Sequence, residues 1–159
     1  MSVIREARPD DLEQLLTIQR EASVAGFAKV FPPGRYPYPT DDVRELWRET
    51  LADPEVDAYV AELDAEAVGT VTVDTEFLRQ LYVLPAHWGA GIGSTLLDRG
   101  LERMRERGAT RAKLWTLEGN ERGRRFYESR GWKLTEVTRV VPFPPNPIDV
   151  QYAIELTGG

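Results

Sequence analysis

The sequence predicts a single mixed α/β domain, α+β in character, over residues 1–159. Three observations predict it. The length suits one domain, enough to bury ~68–70% of the unfolded surface. Short apolar runs of strand type alternate with longer stretches in which apolar residues recur at helical spacing. No internal repeat, low-complexity tract or linker divides the chain.

The elements follow in order. Residues 3–7, VIREA, read as a first strand. Pro9, Asp10 and Asp11 then open a helix, because proline suits the first helical position and acids suit the positive end of the dipole. Leu12, Leu15 and Leu16 supply its apolar face. Residues 26–39, GFAKVFPPGRYPYP, hold four prolines and can form neither a regular helix nor a central strand. Thr40 caps a second helix carrying Val43, Leu46, Trp47 and Leu51. Residues 57–63 and 67–74 are two β-rich runs so close together that they read as a hairpin. FLRQLYV (77–83) is the next strand. From Gly91, the residues Ile92, Leu96, Leu97, Leu101 and Met104 mark a helix face that ends near Gly108. Residues 109–117 form a strand, Asn120 to Arg130 a helix closed by Gly131, and WKLTEVTRVV and DVQYAIEL the last two strands. The order is β-α-α-β-β-β-α-β-α-β-β, seven strands and four helices.

Composition excludes several classes. There is no cysteine, which removes disulfides, thiolate nucleophiles and Cys-zinc sites, and with His87 the only histidine no metal site is expected. A net charge of −6 argues against a nucleic-acid partner. No run approaches the ~20 apolar residues of a membrane helix, and no signal peptide opens the chain, so a cytoplasmic address is expected. The charge is unevenly spread. Residues 1–80 carry 17 acids against 8 bases, and residues 81–159 carry 9 acids against 12 bases. The basic half suits an anionic ligand, although chance clustering on solvated helix faces reads equally well.

The basic half also holds LYVLPAHWGAGIGSTLL, Leu81 to Leu97, in which Gly89, Gly91 and Gly93 alternate between a strand and a helix start. Alternating glycines there let main-chain N–H groups converge where the helix dipole is positive, with no Cβ to block a phosphate. A Walker A loop is excluded, because the Gly-Lys-Ser/Thr ending is absent. A dinucleotide-binding turn remains open: Gly89-x-Gly91 is present, Ser94 stands at the third glycine position, and Glu118 can imitate the ribose-binding acid. A purely structural turn also remains open.

Downstream, GNERGRRFYESRGW (119–132) places Asn120 at a helix start, Gly123 three residues on, and Phe126 and Tyr127 after that. Asn120 and Tyr127 lie two helical turns apart and share a face. Both helices follow strands whose C-terminal ends lie at one edge of the sheet, so asparagine, tyrosine and glycine turn can face one crevice.

With these two motifs the sequence resembles the GNAT superfamily of acyl-CoA-dependent N-acetyltransferases. The family's Arg/Gln-x-x-Gly-x-Gly/Ala motif is matched by Trp88-Gly-Ala-Gly91-Ile-Gly93. Its Asn-x-x-Ala/Ser-x-x-Phe/Leu-Tyr motif, followed by Gly-Phe, is matched by Asn120, Gly123, Phe126, Tyr127, Gly131 and Trp132. The element order matches along nearly the whole chain. The resemblance implies a mostly antiparallel central sheet of about seven strands, flanked by about four helices and splayed where the cofactor enters.

It also implies acetyl-CoA, without metal, as the acyl donor. The pyrophosphate would sit on Trp88, Gly89, Ala90, Gly91, Ile92, Gly93 and Ser94. The acyl arm would lie along Leu81, Tyr82 and Val83, with the N–H of Val83 polarising the thioester carbonyl. Tyr127 would protonate the leaving sulfur, against a reading in which it is a core aromatic. Asn120 would bond the pantetheine arm, cap its own helix, or do both. Trp88 stands where the family usually has Arg or Gln; because the contact there is mostly main-chain, this departure should matter little. Where several members place a base glutamate this chain has Phe77. Glu76 is adjacent and would serve only if a bulge turned it round, since a one-residue shift reverses the face; otherwise it reads as a solvated or edge-strand carboxylate. Asp74, Glu118 or a water chain are open substitutes.

Phe31, Arg35, Tyr36 and Tyr38 would wall the acceptor pocket or pack down as a plug over the core. The expected reaction is direct transfer to a primary amine of a small molecule or peptide, by a monomer or homodimer. The alternatives are a non-catalytic acyl-CoA-binding module and a nicotinamide-dinucleotide binder.

Overall fold

The computed structural model describes residues 2–32 and 34–156; Met1, Pro33 and residues 157–159, which belong to the expected domain, lie outside the described residues. Eleven elements follow one another in the predicted order. They are β1 (Val3–Glu6), α1 (Leu12–Gly26), α2 (Thr40–Ala52), β2 (Asp57–Leu63), β3 (Glu66–Val73), β4 (Leu78–Val83), α3 (Ile92–Glu106), β5 (Arg111–Leu117), α4 (Glu121–Glu128), β6 (Lys133–Val140) and β7 (Ile148–Glu155). Pro9–Asp11 forms a 3-10 turn ahead of α1. Arg5 grips both carboxylate oxygens of Asp11 at 2.8 Å, which pins this entry to β1.

The strands form two antiparallel sheets, β1-β2-β3-β4 and β5-β7-β6. Among the described residues their backbones pair through a single parallel bridge between Phe77 and Lys113, where the Lys113 N–H donates to the Glu76 carbonyl at 3.0 Å. Past that point β4 and β5 carry no further pairing and diverge. The expected central sheet is therefore two sheets hinged at one end of a wedge.

The two halves are held together by α3. Its apolar face, Ile92, Leu96, Leu97, Leu101 and Met104, packs on Val71 and Val73 of one sheet and shares a core with Leu114 and Tyr152 of the other. Each such side chain contributes about 1.5–3 kcal/mol when fully buried. Gly108, at φ 92°, ends the helix, and the Ala109 N–H returns to the Met104 carbonyl at 2.9 Å. The opposite face of the first sheet is covered by α1 and α2, through Leu15, Leu16, Val43, Trp47 and Val60. With helices on both faces, β3 is buried along most of its length, which explains its near-continuous apolar and threonine run.

Close approach of α3 to β3 depends on Gly69. A Cβ there would lie 2.9 Å from Leu96 Cδ1 and 3.1 Å from the Tyr82 carbonyl oxygen. Gly69→Ala is expected to lower stability by about 1–3 kcal/mol, the usual effect of overpacking. Gly34→Ala, where a Cβ meets nothing within 4 Å, should stay within about 0.5 kcal/mol. Urea midpoints of the two variants check this.

Candidate active site

The wedge leaves one edge of β4 open. Leu84 N–H donates to the Val68 carbonyl at 2.8 Å, and Tyr82 pairs with Thr70. Antiparallel ladders alternate, so the N–H groups of Leu81 and Val83 point the other way, into the gap that β5 has vacated. The Val83 carbonyl on that edge accepts a hydrogen bond from Trp88 Nε1 at 2.7 Å.

The glycine turn follows directly. Gly89 and Gly91 adopt φ of 82° and 83°, a conformation that side chains rarely take. Gly91 is the N-cap of α3, so the first N–H groups of that helix have no partner within it. Around the turn stand two cations. The Arg122 guanidinium lies 3.9 Å over the Trp88 ring, and that of Arg130 lies 3.8 Å over Phe126 while donating to Ser94 Oγ.

On α4, Asn120 Oδ1 accepts from the Gly123 N–H at 3.1 Å, and its Nδ2 donates to Thr116 Oγ1 at 3.0 Å. The cap thereby ties the helix to β5. Two turns on, Tyr127 sits edge-on between Phe126 and Trp132, with ring centroids 5.3 and 5.8 Å away. Both residues line the cleft that enters the wedge, which has a volume of about 1570 Å³.

Every residue expected to hold a cofactor lines this cleft except Ala90, which is exposed. Phe31, Tyr36 and Tyr38 line it as well; Arg35 lies outside, 5.7 Å over the Tyr36 ring. Glu76 does not reach it. The strand begins at Leu78, and Glu76 lies in the hairpin turn, where Asp74 Oδ1 accepts the N–H groups of Glu76 and Phe77 at 2.7 and 2.6 Å. Its exposed carboxylate pairs with Lys113 Nζ at 3.0 Å. A bulge does occur in β4, at Arg79, where Leu78 and Gln80 pair with consecutive residues of β3. It lies beyond Glu76 and redirects Gln80 and Tyr82 toward α1 instead. Gln80 Nε2 donates to Gln19 Oε1 at 3.1 Å, and its Oε1 accepts from Thr72 Oγ1 at 2.9 Å.

Three phenols share this environment. Burial raises those of Tyr127 and Tyr38 well above their ordinary value, each with a smaller contribution from Tyr82. Burial pushes Tyr82 up to about 12, with the Ser23 hydroxyl opposing and Asp149 reinforcing the shift. All three remain protonated at neutral pH. Chemically, the cleft offers convergent main-chain donors beside cations at one end and neutral proton donors where the sheets part.

The comparisons accord with this geometry. Residues 10–132 match the acetyltransferase (GNAT) family. The chain belongs to that family. It is 34% identical, over 84% of its own length and 94% of the relative's, to an uncharacterised N-acetyltransferase of Archaeoglobus fulgidus. It is similar in fold to the PaiA N-acetyltransferase of Thermoplasma acidophilum in complex with coenzyme A. That match has a TM-score of 0.76 and 20% identity, covering 98% of this chain and 99% of that one. The putative acetyltransferase YncA of Salmonella typhimurium, solved with its cofactor acetyl-CoA, matches at a TM-score of 0.73 and 19% identity, covering 99% and 95%. The dinucleotide alternative fails on topology: the strand before the glycine turn lies at the edge of an antiparallel sheet, not in a parallel one.

Sequence reasoning missed Arg122, Arg130, Arg139 and Asp149, which also line the cleft of this GNAT domain. The surplus of bases in the second half of the chain was the only trace of the three arginines, and nothing signalled Asp149. Where the family usually places Arg or Gln, Trp88 instead carries Arg122 stacked on its indole, so a positive charge is kept near the turn.

Two tests follow from the geometry. Asn120→Ala should lower stability by about 1–2 kcal/mol through loss of the α4 cap, read as a shift in the urea midpoint. The raised phenols make stability depend on pH. Below pH 10 both states hold the phenol protons and the contribution is complete; as pH rises further the unfolded chain loses them first, so stability falls. Tyr82→Phe should flatten the fall in urea midpoint between pH 9 and 11.5 relative to wild type.

Proposed function

We propose that the chain transfers an acetyl group from acetyl-CoA to a primary amine of a small molecule or peptide, by direct attack. The observation that carries this reading is the open edge of β4: the Val83 N–H points into a wedge lined also by Tyr127 and the glycine turn. The residues present fit such a donor. Gly89 and Gly91 open a path to the unpartnered N–H groups of α3, with Arg122 and Arg130 beside them for phosphate charge. The narrowing gap between the sheets accepts an extended arm.

The donor would supply an acyl group on a sulfur leaving group. Everything else falls to the protein. The Val83 N–H donates to the carbonyl oxygen as negative charge develops there; one such donor is worth ~2.7–4 kcal/mol in barrier. Tyr127, held neutral by its surroundings, delivers its proton to the departing sulfur as the C–S bond breaks, and regains one from the attacking nitrogen, which loses it as the C–N bond forms. The main-chain cradle needs no lysine or metal, because the phosphates it holds stay intact.

Tyr127→Phe is the decisive variant. Its kcat should fall ~10²–10⁴-fold, while stabilisation by acetyl-CoA in thermal unfolding is unchanged. Free-thiol release is followed with polyamines, aminoglycosides, amino acids and peptide N-termini. Release undiminished by Tyr127→Phe would remove the tyrosine from the chemistry. Acetyl-CoA binding without release for any amine would leave an acyl-CoA-binding module.

A further inference from the structure

The cleft that Val83 lines is lined also by the aromatic residues Tyr38, Phe77, Trp115 and Phe143. Phe77 and Trp115 stack, with centroids 6.4 Å apart and planes 10° from parallel. Asp149 lines the same cleft. It lies on β7 opposite Leu117, at the end of β5 where the wedge is wide, and is only 8% exposed. Arg139, its register partner on β6, donates from Nε to Asp149 Oδ2 at 3.0 Å and lies 4.4 Å over the Trp115 ring.

This pair is incompletely used. Among the described residues, Arg139 donates through Nε alone, and Asp149 accepts through Oδ2 alone. Two guanidinium nitrogens and one carboxylate oxygen are therefore left to a ligand. Asp149 is also close enough to Tyr82, the neighbour of Val83, to influence its phenol.

An acid and a base side by side select for a particular charge pattern. A simple amine gains from Asp149 and is repelled by Arg139; a simple carboxylate meets the reverse. A molecule with an ammonium and a carboxylate on one carbon satisfies both, and an arginine fork suits the planar carboxylate. The remaining wall is aromatic, which suits an apolar or aromatic side chain.

We propose that the acceptor is an α-amino acid with an apolar or aromatic side chain, its amino group held by Asp149 and its carboxylate by Arg139. This rests on the acetyl-transfer reading and gives that reaction its substrate class. The amino group would then stand beside Tyr82 and face the carbonyl position at Val83.

Calorimetric titrations of the protein saturated with coenzyme A test it, using L-phenylalanine, phenethylamine and 3-phenylpropanoate, which differ by one charged group each. L-phenylalanine should bind about tenfold or more tightly than either analogue, the scale of one charge-assisted hydrogen bond. Asp149→Asn should bring its affinity down to that of 3-phenylpropanoate, and Arg139→Gln down to that of phenethylamine. Arg139 is half exposed, so its variant keeps the test open should Asp149→Asn misfold. The proposal is overturned by absence of L-phenylalanine binding, by an analogue that binds as tightly, or by wild-type affinity in both variants, which would make the pair a strand staple. Uptake of coenzyme A without L-phenylalanine would overturn this acceptor and leave acetyl transfer standing; failure to bind coenzyme A would overturn both.

Discussion

The structure turns on the seam between β4 and β5. Among the described residues, two parallel strands that would normally pair along their length have backbone pairing only at the Phe77–Lys113 bridge. Backbone donors and acceptors left inside a protein must find partners. Some are met internally, as when Trp88 takes the Val83 carbonyl. The N–H groups of Leu81 and Val83 stay free for whatever enters. The wedge persists because α3 shares one core with both sheets, so closing the gap would break packing already made.

Charge is arranged around this seam more tellingly than the net −6 suggests. Arg122 and Arg130 sit over aromatic rings at the glycine turn, where they add to the field of the α3 N-terminus. Elsewhere in the cleft lining stands the matched pair Asp149 and Arg139. The glycine turn thus carries positive charge, and under the proposed acceptor reading the Asp149–Arg139 pair would take a zwitterion. In the acetyl-transfer reading these are the phosphate site and the acceptor site.

Much of this was legible beforehand. Helical spacing of Leu96, Leu97, Leu101 and Met104 located α3, and the tight turn at Asp64–Glu66 announced the β2–β3 hairpin. The glycines and the Asn120–Tyr127 spacing brought their residues to one cleft, because both depend on local backbone geometry. The parting of the strands at the cofactor site was expected from the family resemblance and not from periodicity, which reports which residues are apolar and not which strands pair. Glu76, next to the expected strand, read as a base if a bulge turned it round, because nothing in its own identity reveals that Asp74 folds the chain into a turn there. Arg122, Arg130, Arg139 and Asp149 were hidden for a further reason. Arg122 and Arg139 look solvated until Trp88 and Trp115, distant in sequence, are seen beneath them, and the place of Asp149 in the cleft depends on pairings across three strands.

The central claim is that the free amides of β4 and the glycine turn form one binding surface for an acyl-CoA. Amide chemical shifts recorded while acetyl-CoA is titrated into the labelled protein test it most directly. The account predicts that the largest changes fall on Leu81, Val83, Gly91 and Gly93, with Val3–Glu6 of β1 unmoved. Saturation that leaves the Val83 and Gly91 amides in place, or that moves β6 most, would contradict it.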